Sequence, residues 1–90
     1  MHTLHIVSKS PTHPRFRECL GMVSPEDAVL LTGNGVVALS DSRVSLPLNL
    51  YALSDDMAAR AVEQTSHPCT PIGFDTMVDM TLQAQRIISW

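Results

Sequence analysis

Charge is scarce in this 90-residue chain: Asp, Glu, Lys and Arg make up 17% of it, against 44% apolar residues. That balance is too apolar for a disordered chain and thin for the surface of a small monomer. Basic excess is missing as well. The net charge of −3 excludes a general nucleic-acid binder, which needs cationic side chains to displace counterions from phosphates. No hydrophobic run approaches the roughly 18–20 residues that span a bilayer, and the opening residues lack a signal peptide's uninterrupted apolar core. A cytoplasmic protein with no membrane contact is therefore expected. Cysteine is limited to Cys19 and Cys69, too few and too far apart for a disulfide framework, so both thiols are expected to stay reduced. Internal repeats, low-complexity tracts, a serine elbow, paired catalytic carboxylates and a P-loop are all absent.

What is present fits one domain over residues 1–90. A chain this short buries only about 60–65% of the surface that it exposes when unfolded, so its stability is marginal in isolation. Part of the apolar excess is expected to meet another subunit. The N-terminal end is locally basic, because Lys9, Arg15 and Arg17 precede the first acid, Glu18. It reads as a solvated surface or as a face for an acidic partner.

Short apolar runs alternate with helical patterns. Thr3 to Val7 reads as a strand, and a helix is expected from Pro14, where proline suits a first turn. Phe16, Cys19, Leu20 and Val23 share one face of that helix, which points Cys19 toward the core. The unbroken run Ala28 to Thr32 reads as a strand buried on both faces of a parallel sheet. Val36 to Leu39 is expected to form a single helical turn, and Leu48 to Leu53 a third strand. Ser54 is placed to cap a helix through Glu63. An irregular loop is expected from Gln64 to Pro71, followed by a strand from Ile72 to Phe74. Asp75 is then placed to cap a last helix whose Met77, Val78 and Met80 to Leu82 cover an apolar face. The fold class expected is α/β: a small three-layer αβα domain with a mostly parallel sheet of four or five strands.

Several residue groups invite chemistry. Gly33-Asn34-Gly35-Val36-Val37-Ala38 follows a strand in the G-x-G-x-x-A pattern, with Asp55 about twenty residues on, as in a dinucleotide site. The short, interrupted helix behind it argues for a tight turn instead. Any nucleotide-binding module is thus a distant alternative, and no cofactor is expected. His2 and His5 lie three apart in an expected strand, on opposite faces, which excludes joint metal binding. His67-Pro68-Cys69 reads as a loop with an incidental thiol. Cys19 is the candidate sulfur acceptor, since Arg15, Arg17 and the His13 region favour a thiolate. Its place near the helix's far end and its inward direction favour a structural role.

Four blocks, in chain order, carry a resemblance. They are Leu4-His5 with Lys9-Ser10-Pro11, Leu30-Leu31 with Gly35-Val36, Tyr51-Ala52-Leu53 with Asp56, Ala59 and Arg60, and Ile72 through Phe74 and Val78 to Trp90. Together they resemble the TusB/DsrH family of sulfur-relay subunits. Asn34 stands where the family usually has an acid, and Ala61 where its helix continues with glycine. The resemblance implies a DsrE-like fold and a place in a TusBCD-type complex, a dimer of heterotrimers with TusC- and TusD-like subunits. It implies that sulfur passes from a TusA-like carrier to a cysteine of the TusD-type subunit and on to a TusE-like protein. The destination is the 2-thio group of a tRNA wobble uridine, with no direct nucleic-acid contact by this chain. In sulfur oxidisers the related DsrEFH complex serves dissimilatory sulfur metabolism. The expected role is a mainly structural subunit, with Trp90 as an interface residue or terminal anchor, or else packed plainly into the core; the rival is a stand-alone thiol enzyme using Cys19.

Overall fold

A computed structural model describes residues 1–63 and 65–90. Five parallel strands form one sheet in the order β4-β3-β2-β1-β5, with β1 Thr3–Val7, β2 Ala28–Leu31, β3 Leu50–Leu53, β4 Thr70–Ile72 and β5 Arg86–Ser89. The helices are α1 Pro14–Met22, α2 Ser54–Ala59 and α3 Phe74–Gln83, and a 3₁₀ segment runs Gly33–Ser40. The expected three-layer α/β architecture is present, with the sheet parallel throughout.

β2 explains the layering. Ala28, Val29, Leu30 and Leu31 are all fully buried, because one pair of side chains faces each side of the sheet. Val29 and Leu31 join Val7, Phe16, Cys19, Val36 and Leu39 in the core beneath α1 and the 3₁₀ segment. Ala28 and Leu30 join Leu4, Ile72 and Met80 in the core beneath α3. The α1 face follows the expected spacing, with Phe16 and Cys19 buried and Leu20 and Val23 packed beside them. Its first turn is capped by His13, whose Nδ1 accepts the Arg15 N–H at 3.1 Å.

Several boundaries differ from expectation. The third strand starts at Leu50, leaving Leu48 exposed. Ser54 lies inside α2, whose N-cap is Leu53, and the helix ends at Ala59 rather than Glu63. The cause is Ala61, which adopts a left-handed φ of 53°. Its N–H reaches the Ala58 carbonyl at 3.2 Å and the Val62 N–H reaches Met57 at 2.9 Å, the paired bonds of a Schellman stop. The fourth strand comes earlier than expected, at Thr70–Ile72, and contains Pro71. Proline is tolerated there because β4 is an edge strand. Gly73 takes the N-cap of α3, and Asp75 sits in its first turn. Gln64, the first residue of the expected loop, lies outside the described residues.

Candidate functional site

Parallel strands put all their carboxyl ends on one edge, and the strand order turns around β1, between β2 and β5. In open α/β sheets ligands enter at such a turning point. Four segments meet along this edge: Ser8 to Pro11 after β1, Gly33 to Gly35 after β2, Asp55 and Asp56 in the first turn of α2, and Trp90 after β5.

Trp90 fills the place beside β1. Its N–H bonds the Ile6 carbonyl at 2.8 Å, and the Ser8 amide and hydroxyl both reach its own carbonyl oxygen at 3.5 Å. The indole Nε1–H donates to His5 Nδ1 at 3.1 Å, with the two rings stacked at 6.1 Å and 22°. Arg15 covers the indole from α1, its guanidinium carbon 5.1 Å from the ring centroid, a cation–π contact.

His5 continues inward. Its Nε2 lies 3.0 Å from Asp27 Oδ2, and both residues are buried. Asp27 also accepts the Thr3 N–H at 3.1 Å and the Ser24 N–H at 2.9 Å. Burial alone pushes its carboxyl up. The hydrogen bonds from Ser24, His5 and Thr3 outweigh burial and hold it below its ordinary value. Nothing in the sequence pattern singles out Asp27 except that it is an acid immediately before a fully apolar strand.

His2 and His5 do not diverge as expected. His2 precedes β1, outside the strand's alternation, and its Nδ1 bonds Thr3 Oγ1 at 2.9 Å and lies 3.9 Å from Asp27 Oδ1. Among the described residues no group of three or more His, Cys, Asp or Glu side chains is placed to hold a metal ion.

The glycine turn is likewise occupied from within. The Gly33 N–H donates to Asp56 Oδ2 at 2.7 Å, and Arg60 Nε donates to Asn34 Oδ1 at 3.1 Å. A carboxylate of α2 therefore sits at an amide that a dinucleotide site would offer to pyrophosphate. Gly35 is required for a different reason: a Cβ there would collide with the Val7 carbonyl oxygen.

Cys19 is fully buried, and burial pushes its thiol up to about 11. It is a protonated core residue in this conformation. Cys69 is half-buried, with its thiol also raised by burial. His67 Nε2 lies 2.8 Å from the Asp41 carbonyl oxygen rather than beside an activated thiolate.

The fold and its self-filled edge define a small parallel α/β protein whose usual ligand entrance is taken by its own side chains. The family described as "DsrH like protein" matches residues 9–87. Protein TusB of Yersinia enterocolitica is 36% identical over 94 aligned residues, covering 97% of this chain and 99% of that protein. Protein TusB of Yersinia pestis (strain Pestoides F) is 35% identical with the same coverage. The chain belongs to the DsrH family. In fold it is similar to protein Tm0979 of Thermotoga maritima, solved by NMR, with a TM-score of 0.68 at 24% identity over 90% of this chain and 92% of that one. Among the described residues no helix is long and apolar enough to cross a membrane.

Proposed function

We propose that this chain is the TusB-type subunit of a cytoplasmic sulfur-relay complex, serving assembly rather than carrying sulfur. The observation that carries this reading is an apolar stripe on α3. Phe74, Val78 and Leu82 recur every fourth residue and are 62%, 41% and 80% exposed, with Ile87 of β5 exposed at 43%. Side chains at that spacing form one helix face, and a water-facing row of this kind marks a contact surface. A subunit seated among TusC- and TusD-like chains gives the stripe a partner. The half-buried Trp90 contributes contact area of its own in this reading. The buried, protonated Cys19 supports placing the persulfide on another subunit's cysteine, between TusA-like and TusE-like carriers. Similarity to TusB proteins along the whole chain favours the wobble uridine of tRNA as the sulfur's destination.

The test is co-expression of the tagged chain with TusC- and TusD-like chains from the same genome. A hetero-oligomer is expected, dissociated by Leu82→Asp, with persulfide labelling on a partner and 2-thiouridine lost on gene deletion. Cys19→Ser should restore the modification. A chain that purifies alone as a stable monomer, or that takes persulfide on Cys19, overturns the reading.

A further inference from the structure

The hydrogen-bond chain from Trp90 through His5 to Asp27 fixes a protonation state. An indole N–H is a donor only. The His5 Nδ1 that receives it at 3.1 Å therefore carries no proton. The imidazole proton lies on Nε2, aimed at Asp27 Oδ2 at 3.0 Å. We propose that His5, in this neutral tautomer, is a proton-operated latch for Trp90: adding a proton at Nδ1 sets two N–H donors against each other and releases the indole from the sheet edge.

The surrounding groups make the release local. Asp27, between α1 and β2, keeps the His5 Nε2–H donor and gains a charged partner when His5 is protonated, so the inner half of the chain survives. From α1, the Arg15 guanidinium already faces the indole, and an imidazolium places a second cation beside the same ring. Arg15 is itself drawn toward Glu18 at 3.3 Å, which leaves it a partner if Trp90 departs. His2, before β1, faces Asp27 Oδ1 from 3.9 Å and is the other imidazole beside that carboxylate. Cys19 on the buried face of α1 stays a neutral thiol throughout, since burial pushes it up to about 11. The Trp90 amide stays on the Ile6 carbonyl at 2.8 Å, independent of the indole, so release of the side chain leaves β5 paired with β1.

Trp90 is the single tryptophan, which makes its signals specific. The experiment follows indole fluorescence and Nε1–H exchange in the full chain from about pH 8 to about pH 5, the range in which imidazoles titrate, with far-UV circular dichroism as the control for folding. A shift in emission and loss of indole N–H protection are expected, with the far-UV spectrum unchanged. His5→Asn, whose side-chain oxygen replaces the Nδ1 acceptor, should abolish the transition, and His2→Gln should keep it. Nitrogen-15 shifts of His5 in the unaltered chain give a test that needs no variant. A proton on Nδ1 at neutral pH, or a Trp90 signal that ignores acidification or survives unchanged in folded His5→Asn, overturns the proposal.

Discussion

Asp56 holds Gly33: the carboxylate in the first turn of α2 accepts the N–H that opens the turn after β2, at 2.7 Å. The same carboxylate lies 3.8 Å from Arg60, which reaches on to Asn34. Asp56→Ala leaves that N–H without its charged acceptor. It should cost about 1–2 kcal/mol, read as a lower urea midpoint at unchanged slope.

Asp27 should give the fold an acid limit. Its carboxyl lies below its ordinary value of 3.8 in the folded chain, so its stabilisation is complete above that value and is lost as the pH falls through the lower, folded one. Asp27→Asn should cost about 2–3 kcal/mol at neutral pH, because it weakens a buried, charged acceptor of several N–H groups. Urea midpoints at neutral and acid pH provide the check. The variant should lose less than the parent chain on acidification.

Two glycines should respond with opposite sign. Gly35→Ala forces a methyl group into the Val7 carbonyl, with backbone rather than a flexible side chain in the way, and should cost about 3 kcal/mol or more. Gly21 lies within α1 with nothing within 4 Å of an added Cβ. Gly21→Ala should stabilise by about 0.5–1 kcal/mol through helix propensity. Thermal denaturation of both variants distinguishes the two cases.

Ala61 stands at the left-handed stop of α2 with a φ of 53°, a conformation that glycine adopts without steric penalty. Ala61→Gly should stabilise by about 0.5–1 kcal/mol after the greater freedom of the unfolded chain is offset. The corresponding rise in Tm is roughly 2–8 °C.

Native Cys19 should resist thiol reagents. A thiol pushed from 9.0 to about 11 holds about 100-fold less thiolate at neutral pH than an ordinary one, and burial blocks access. Ellman's reagent should modify Cys69 first and Cys19 only on unfolding. Rapid labelling of Cys19 in the folded chain would revive the thiol-enzyme alternative.

Much of the layout was legible because local pattern carries it. The β2 run is apolar at every position and is buried at every position. The spacing of Phe16 and Cys19 set the inner face of α1. β5 is hard to read from sequence because Arg86-Ile87-Ile88-Ser89 is only four residues long, with its two isoleucines adjacent rather than alternating, and it follows α3 after two residues. The end of α2 was missed because no glycine announces it at Ala61. Helical spacing directs Cys19 inward, where it is fully buried, but its environment depends on the sheet that α1 covers.

Sequence alone determined the alternation of strands and helices from β1 through α3 and the balance of apolar to charged residues, since these depend on side chains a few positions apart. Tertiary structure decided which strand lies beside which, and it joined His5 to Asp27 across 22 positions and to Trp90 across 85. Hydrogen bonds between such distant residues leave no periodic trace in the chain. They arise only when parallel pairing brings β2 and β5 to either side of β1, and that juxtaposition creates the polar row that runs from half-buried Trp90 after β5, through buried His5, to buried Asp27 before β2.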